Sequence, residues 1–237
     1  GEYFDGQVDR WNYAQGYGTY YYPDGSSIKA EYQDDLIVSD YQKTTYNNGS
    51  IFEGNWDGNG IFIENDGSYF EGEFLNGKLN GQGVATYATG DVYIGQFQND
   101  LKHGYGIFKY AEGEVYDGEY KNGLKDGNGT YIEMDGSIHT GNFKNDMSHG
   151  YGEYTSNNDE YGSYKGNFQF GTRNGQGYEW FTDGRSYKGE FKEGLYHGYG
   201  TYTSEYGDIY EGNFENWYFT GFGTYTWANG TKYEGLF

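Results

Sequence analysis

Aromatic residues and glycines alternate with polar residues along most of the chain, in two short patterns that follow each other. The first pattern is aromatic-x-Gly-x-aromatic, as in Tyr187, Gly189 and Phe191. The second is Gly-x-Gly-x-Tyr, as in residues 127–131. Alternation with a period of two is typical of β-strands, because successive side chains point to opposite faces of a sheet. Each pair of patterns therefore predicts a β-hairpin.

Short polar segments separate the predicted strands. A loop such as residues 121–123 joins the two strands of one hairpin. A second kind of segment follows each hairpin and contains Asp-Gly or Asn-Gly, as in Asp135-Gly136. These dipeptides accept positive φ values, which two-residue hairpin turns require. We therefore predict tight two-residue turns at the Asp-Gly and Asn-Gly positions.

The hairpin pattern repeats along the whole chain. Aligned on their first aromatic position, regular repeats begin at residues 70, 93, 116, 139, 164, 187, 210 and 233, with intervals of 23 residues except for one of 25. The two additional residues fall in segment 155–163, which predicts a longer turn. We interpret residues 1–69 as degenerate or irregular repeats, 70–232 as regular repeats and 233–237 as the start of another. Residues 1–237 would then form one continuous array of about ten repeats.

The predicted fold class is all-β: an elongated, twisted, single-layer antiparallel β-meander of about ten stacked β-hairpin repeats. A single hairpin is marginally stable, whereas stacked hairpins pair every internal strand with a neighbour. Two strands per repeat at a spacing of ~4.8 Å predict a rise of ~10 Å per repeat. About ten repeats would then extend over a distance on the order of 100 Å.

Glycine within a strand normally weakens a sheet, but it also allows an aromatic ring to approach the backbone closely. In each first strand the two aromatic residues and the glycine between them point to one face. A ring can therefore lie over the glycine of a neighbouring strand and take the place of a second layer. The structural aromatic residues that we predict for this packing are Trp56, Phe74, Phe97, Tyr120, Phe143, Phe168, Phe191 and Phe214.

Composition supports an ordered chain with unusual packing. The 31 Tyr and 16 Phe residues argue against disorder, which a net charge of −21 would otherwise favour. With 36 Asp and Glu residues against 15 Lys and Arg residues, the chain offers no basic surface for nucleic acid or for anionic lipid. A basic protein partner is favoured instead, since opposite charges steer association.

The sequence also limits other kinds of chemistry and topology. The absence of cysteine excludes disulfides, Cys–zinc sites and a thiol nucleophile. No apolar run approaches the ~20 residues that span a bilayer, and no secretory signal is recognisable. We interpret the chain as a fragment of a longer protein, because it starts without Met and ends inside a fresh repeat.

The spacing Tyr-x-Gly-x-Phe-x-x-Gly-x-x-x-Gly-x-Gly resembles the MORN repeat (membrane occupation and recognition nexus). The positions that match in two repeats are Tyr187, Gly189, Phe191, Gly194, Gly198 and Gly200, and Phe70, Gly72, Phe74, Gly77, Gly81 and Gly83. The resemblance covers nearly the whole chain, although residues 28–50 depart from it. It implies a non-enzymatic β-meander of the kind found in scaffolds and tethers, and an intracellular, cytoplasmic place beside the cytoskeleton or cilium.

Several motifs resemble catalytic or ligand sites, but each lacks an essential part. The Gly-x-Gly motifs have no third glycine that opens a helix, so they do not predict nucleotide binding. His103, His149 and His197 recur two repeats apart, about 20 Å by strand spacing, which is too far to share a metal ion. The segment after Asp126 has Ser137 where a calcium loop needs Glu. We predict no catalytic residues, no metal and no cofactor.

One pattern recurs in every second repeat. His-Gly-Tyr occurs at residues 103–105, 149–151 and 197–199, whereas the intervening repeats contain Asn-Gly-Gln or Asp-Gly-Asn. These side chains are expected on the face opposite the paired glycines, because side chains alternate along a strand. Duplication of a two-repeat ancestor would explain the pattern without any function. The alternative is a periodic partner-binding surface, with candidate residues His103, Tyr105, His149, Tyr151, His197, Tyr199 and Phe222.

Three functional hypotheses follow. The first is a non-enzymatic scaffold or tether that holds a protein, either a basic helix or extended segment or a second copy of the array. The second is a regulatory repeat segment of an enzyme whose catalytic domain lies outside this sequence. The third is a phospholipid-surface binder, which the scarcity of lysine and arginine disfavours. We predict no nucleic-acid partner and no direct membrane contact.

Overall fold

The computed structural model describes residues 1–158 and 160–237 and confirms the all-β prediction. The described residues contain no helix, and 22 strands form one open antiparallel sheet in meander order. The chain divides into two compact units, Gly1–Ala111 and Glu112–Phe237.

The first unit contains strands β1 to β11. Strand β4 has two residues and lies against β3, and β3 also pairs with β5; the other strands pair with their neighbours in sequence. The strands are β1 (Tyr3–Val8), β2 (Ala14–Tyr21), β3 (Ser27–Gln33), β4 (Leu36–Ile37), β5 (Gln42–Thr45), β6 (Ile51–Gly54), β7 (Asn59–Ile63), β8 (Tyr69–Leu75), β9 (Lys78–Thr86), β10 (Val92–Gln98) and β11 (Leu101–Lys109).

The second unit contains strands β12 to β22, and each strand pairs antiparallel with the next. From β12 to β21, first strands of seven residues alternate with second strands of nine, and β22 has five residues. The strands are β12 (Val115–Lys121), β13 (Leu124–Ile132), β14 (Ile138–Lys144), β15 (Met147–Thr155), β16 (Ser163–Gln169), β17 (Thr172–Trp180), β18 (Ser186–Lys192), β19 (Leu195–Thr203), β20 (Ile209–Glu215), β21 (Tyr218–Thr226) and β22 (Lys232–Leu236).

A row of glycines, which we call the glycine ladder, crosses the second unit and strands β7 to β11 of the first unit with one glycine per strand, whereas β3, β4 and β5 contain no glycine. In the second unit each ladder glycine lies directly opposite the ladder glycine of the next strand. The row is Gly118, Gly129, Gly141, Gly152, Gly166, Gly177, Gly189, Gly200, Gly212, Gly223 and Gly235. In the first unit the corresponding row on β7 to β11 is Gly60, Gly72, Gly83, Gly95 and Gly106.

Tyrosine rings lie over the ladder, as the sequence predicts. Tyr187 covers both Gly189 and Gly200, and a Cβ atom placed on Gly200 would come within 2.6 Å of the tyrosine ring. The ring of Tyr187 is fully buried. Its hydroxyl donates to the backbone carbonyls of Glu190 at 2.9 Å and His197 at 3.1 Å, so the buried phenol is hydrogen-bonded. The face that carries these rings is called the ring face, and the opposite face is called the open face.

Aromatic residues on the ring face pack edge to face in a chain. Tyr187 contacts Phe191 in the same strand at a ring-centroid distance of 5.1 Å and Phe214 of the next repeat at 4.9 Å. Tyr164 makes the same pair of contacts with Phe168 and Phe191, each at 5.0 Å. Edge-to-face pairs contribute about 0.5–1.5 kcal/mol each beyond the area that they bury. The rings thus form the core of a sheet that has one layer.

Turn assignments from the sequence were wrong in detail. The two-residue turns lie inside the repeats, at pairs such as Asn122-Gly123, whose φ values of 52° and 88° are both positive. The Asp135-Gly136 turn is longer, because Glu133 and Ser137 close it by a backbone hydrogen bond of 2.9 Å. Gly136 alone of its residues has positive φ, and the Asp135 carboxylate accepts from the Ser137 amide at 2.8 Å. Asp-Gly is compatible with a three-residue turn of this kind as well as with a two-residue turn.

The structure predicts that alanine has different effects at two ladder glycines. Gly200→Ala places a methyl group against the Tyr187 ring, whereas Gly152→Ala meets its nearest atom at 3.1 Å, because His139 replaces tyrosine in that repeat. We expect Gly200→Ala to lower the free energy of unfolding by about 1–3 kcal/mol more than Gly152→Ala does. Urea unfolding of both variants measures the difference. Equal midpoints would mean that the rings do not limit the space above the ladder.

Buried tyrosines should make the fold sensitive to alkali. Burial raises the pKa of Tyr93, Tyr116 and Tyr187, and raises that of Tyr164 to about 12, from a usual value of 10.0. Above pH 10 the unfolded chain releases phenol protons that the folded chain keeps, so the free energy of unfolding decreases as pH rises towards 12. Urea midpoints measured at several pH values between 9 and 12 should fall steeply. A constant midpoint across this range would contradict burial of these rings.

Candidate functional site

Exposed aromatic side chains stand on the open face at the positions that the two-repeat pattern indicates. Tyr105 is 56% exposed, Tyr151 56%, Tyr199 59% and Phe222 59%. Tyr151 and Tyr199 lie on β15 and β19, four strands apart in the second unit, which corresponds to a separation of about 19 Å. Tyr105 lies on β11 of the first unit.

A β-bulge in each second strand positions these residues. Gly198, immediately before Tyr199, has φ +58° and lies where the pairing between β18 and β19 shifts register. The left-handed φ explains why glycine is needed there, since it is unfavourable for other residues. The two glycines of the Gly-x-Gly motif therefore differ in role: Gly198 forms the bulge, and Gly200 belongs to the ladder. The sequence did not indicate this difference.

The histidines of the pattern are less accessible than the aromatic residues. His197 lies opposite Glu190 on the open face, so His197 and Tyr199 share that face. The Nδ1 atoms of His103, His149 and His197 are buried and have no hydrogen-bond partner. The ring of His149 packs against Phe170 at a centroid distance of 5.3 Å. The tyrosines thus provide the exposed part of this surface.

The predicted structural aromatics occupy one row on the ring face, with one exception. Trp56 is half-buried and lies after β6, where its ring contacts Phe52 at 5.3 Å. The buried members are Phe74, Phe97, Tyr120, Phe143, Phe168, Phe191 and Phe214.

A second row on the ring face was missed by the sequence analysis. It consists of the residue directly opposite each phenylalanine or tyrosine of the first row, at the second position of the following strand. This row changes along the chain and reads Leu79, Lys102, Lys125, Ser148, Arg173, Tyr196 and Phe219. The variation in residue type at one position of an otherwise regular repeat could have indicated this row in the sequence.

Two lysines of this row lie over aromatic rings. The Nζ atom of Lys102 is 4.2 Å from the ring centroid of Phe108, and that of Lys125 is 4.5 Å from the centroid of Tyr131. Burial lowers the pKa of Lys125, although the nearby Asp146 carboxylate opposes the shift. Contacts of an ammonium group with a ring face contribute about 0.5–2 kcal/mol. The ring face thus carries cations although the whole chain is acidic.

Arg173, which is partly exposed, forms an ion pair with the buried Glu179. Glu179 occupies a position that is aromatic in neighbouring repeats, between Tyr164 and Tyr187. Its other carboxylate oxygen accepts a hydrogen bond of 2.6 Å from the Tyr196 hydroxyl. Burial, followed by the charge and hydrogen bond of Glu179, raises the pKa of Tyr196. Arg173 and Glu179 both depart from the repeat, and the charge of each is compensated by the charge of the other.

An open groove on the ring face of the second unit collects several of these departures. We call it the ring-face groove and define it by Lys125, His139, Ser148, Tyr161 and Arg173. Its volume is about 590 Å³. Within residues 1–158 and 160–237, no group of three or more His, Asp or Glu side chains could hold a metal ion. The same residues include no helix that is long and apolar enough to cross a membrane.

Family comparison identifies the repeats. The sequence profile of the MORN repeat matches residues 4–27, 70–92, 93–115, 116–137, 139–160, 164–184, 187–208 and 210–232. These segments cover most of the chain, which therefore belongs to the MORN repeat family. No curated protein sequence matches the chain.

Solved structures resemble the chain only distantly. The TCP10 domain of Danio rerio CPAP, in complex with a STIL peptide, is 11% identical, with all of both chains covered and a TM-score of 0.48. The TCP10c domain of Drosophila melanogaster Sas-4 is 12% identical, with 99% of this chain and 100% of that chain covered and a TM-score of 0.21. An inactive virginiamycin B lyase from Staphylococcus aureus, with quinupristin, is 13% identical, with 100% and 89% coverage and a TM-score of 0.18. These scores are too low to transfer a partner or an activity to this chain.

The ion pair predicts a non-additive effect of mutation. Glu179→Gln leaves the partly exposed Arg173 without its counter-charge and should lower the free energy of unfolding by about 1–3 kcal/mol. The triple change Arg173→Leu, Glu179→Tyr and Tyr196→Phe introduces the residue types found at Leu79, Tyr202 and Phe219. It also removes the Tyr196 hydroxyl that would lose its Glu179 partner, so it should be neutral or stabilising. Urea unfolding tests both variants. A triple variant as unstable as the single one would show that the pair does not replace ring packing.

Proposed function

We propose that the chain is a non-enzymatic scaffold or tether that holds another protein on its open face. The observation that supports this most directly is the set of exposed aromatic side chains at one position of the repeat, including Tyr151, Tyr199 and Phe222. Tyrosine and phenylalanine provide rigid contact area with little loss of conformational entropy, and aromatic residues are enriched at binding hot spots.

The surroundings of these residues favour contact with a partner. Tyr199 lies opposite Asn213 on the open face and is 59% exposed. Its hydroxyl donates to the Glu211 carboxylate of the next strand at 3.0 Å. This bond orients the ring while leaving more than half of the side chain exposed.

Charge indicates the chemistry of the partner. The net charge is −21, and the open face carries carboxylates such as Glu153 and Glu211 beside the exposed tyrosines. A basic helix or extended segment that crosses the strands would combine charge attraction with aromatic contact. A second copy of the array is the other candidate, since the terminal strands β1 and β22 of an open sheet can pair with another chain.

The rest of the proposal follows from charge and family. An acidic surface disfavours nucleic acid and direct contact with anionic lipid, so we expect membrane association only through a partner. We place the protein in the cytoplasm, beside the cytoskeleton or cilium, because other MORN arrays are found there. A regulatory segment of a longer enzyme remains the second candidate, and the sequence that flanks residues 1–237 decides it.

Alanine at Tyr105, Tyr151 and Tyr199 together should weaken binding without unfolding the sheet, because these side chains are exposed. Affinity capture with wild-type and triple-variant chains identifies proteins that only the wild type retains. Direct titration of such a protein, once purified, should show affinity at least about 10-fold lower for the variant. Sedimentation of the isolated chain tests association with a second copy.

The matched control is alanine at Gln82, Asn128 and Gln176, which occupy the same position in the intervening repeats. This control should bind like the wild type. If the tyrosine variant captures the same proteins and sediments in the same way, the open-face aromatics do not form a binding surface.

A further inference from the structure

One repeat, residues 139–163, differs from its neighbours at three places that meet in space. His139 occupies the position of the ring-face tyrosine, and Ser148 occupies a position that is large in every other regular repeat. The turn after β15 is longer and carries the exposed Tyr161. All three residues line the ring-face groove.

Histidine at position 139 leaves a hydrogen-bonding group without a partner. In the next repeat the Tyr164 hydroxyl donates to the Asn167 carbonyl at 2.9 Å, but the shorter histidine has no equivalent bond. His139 is only 7% exposed, and its Nε2 atom is buried without a partner. Burial, with a smaller contribution from Lys125, lowers the pKa of His139 to about 4, so the imidazole is neutral at neutral pH.

The substitution also loosens the packing above the glycine ladder. A Cβ atom on Gly152 would lie 3.1 Å from the Thr140 carbonyl oxygen and 3.3 Å from His139 Nε2, whereas tyrosine atoms lie at 2.6 Å from the equivalent position at Gly200. His139 still contacts Phe143 and Phe168 edge to face, at centroid distances of 5.2 and 4.8 Å. The series of edge-to-face ring contacts therefore continues through this repeat, with the smaller imidazole of His139 in place of a phenol ring.

Serine at position 148 opens the groove beside this space. It lies opposite Phe143, where the repeats on either side place Lys125 and Arg173. The two long cationic side chains frame the groove, and the short serine forms part of its floor. A volume of about 590 Å³ is sufficient for an aromatic side chain together with the backbone that carries it.

We propose that the ring-face groove binds a tyrosine side chain of a partner protein, whose ring packs against Phe143 and Phe168 and whose hydroxyl bonds to His139 Nε2. Tyrosine matches the residue that the other repeats place at this point. A phenol hydroxyl also suits either tautomer of a neutral imidazole, because it can donate to Nε2 or accept from it.

Charge supports a neutral occupant over an ionic one. The groove is lined by the cations Lys125 and Arg173 and by the carboxylates of Glu133, Asp146 and Glu179. Arg173 is paired with Glu179, which leaves Lys125 beside Glu133 and Asp146, so an anionic occupant is disfavoured and the site offers no concentrated positive charge. Tyrosine provides an aromatic ring and a hydrogen-bonding group without added charge. This site lies on the face opposite the proposed scaffold surface and does not depend on it.

Titration with p-cresol, which is the side chain of tyrosine capped by a hydrogen atom, tests the proposal. Wild-type chain should show saturable shifts of the His139 imidazole NMR signals, with a Kd on the order of 1 mM. His139→Tyr should fold normally, since it introduces the residue of neighbouring repeats. Because the larger side chain fills the space, this variant should bind p-cresol at least 10-fold more weakly. The NMR signals of the Phe143 and Phe168 rings follow its binding. Ser148→Leu, which introduces the residue found at Leu79, should weaken p-cresol binding in the same way.

Two controls define the outcome. His149→Asn changes an open-face residue to a type found in intervening repeats and should leave binding unchanged. Toluene, which lacks the hydroxyl, should bind at least about 5-fold more weakly than p-cresol. The proposal is overturned if wild-type chain does not bind p-cresol, if His139→Tyr binds it equally well, or if toluene binds as tightly. It is also overturned if Tyr161→Ala raises the affinity 10-fold, because the chain's own tyrosine would then occupy the groove.

Discussion

The close approach of tyrosine rings to a row of glycines that is uninterrupted from β12 to β22 is the interaction on which this structure depends. A sheet of one layer has no opposing layer to cover its apolar side chains, so its core must be built within the sheet itself. Tyr187 shows how this is done: it lies flat enough over Gly189 and Gly200 to be fully buried. A side chain on either glycine would occupy the volume of the ring.

This packing divides the sheet into two faces with different roles. The ring face contains the aromatic core, so residues there are constrained by their neighbours. Side chains on the open face are not constrained by core packing, so Tyr151 and Tyr199 can be exposed there without affecting the core. Where the ring-face pattern is interrupted, as at His139 and Ser148, the interruption itself creates a concave site. Regular repeats therefore supply the frame, and we propose that departures from the repeat supply recognition.

The sequence predicted the hairpins and the packing of rings on glycine, because both depend on a period of two that is visible in the residues. It did not predict the bulge at Gly198, since both glycines of a Gly-x-Gly motif look alike until the φ value of each is known. Asp135-Gly136 was misassigned for a related reason: that dipeptide fits turns of two or three residues. The groove escaped prediction because alternation alone puts Lys125 and Arg173 on the ring face without showing which residues lie opposite them. The two additional residues at each bulge set that register, which pairs Lys125 with Tyr120 and Arg173 with Phe168.

The most direct test of the central claim is the distance between the rings and the ladder in solution. Nuclear Overhauser spectra of the chain, with tyrosine and glycine selectively labelled, report contacts between the Hε protons of Tyr187 and the Hα protons of Gly189 and Gly200. The ring-on-glycine account predicts strong cross peaks to both glycines. Their absence in a folded chain would show that the rings do not lie on the ladder, and the sheet would then need another source of stability.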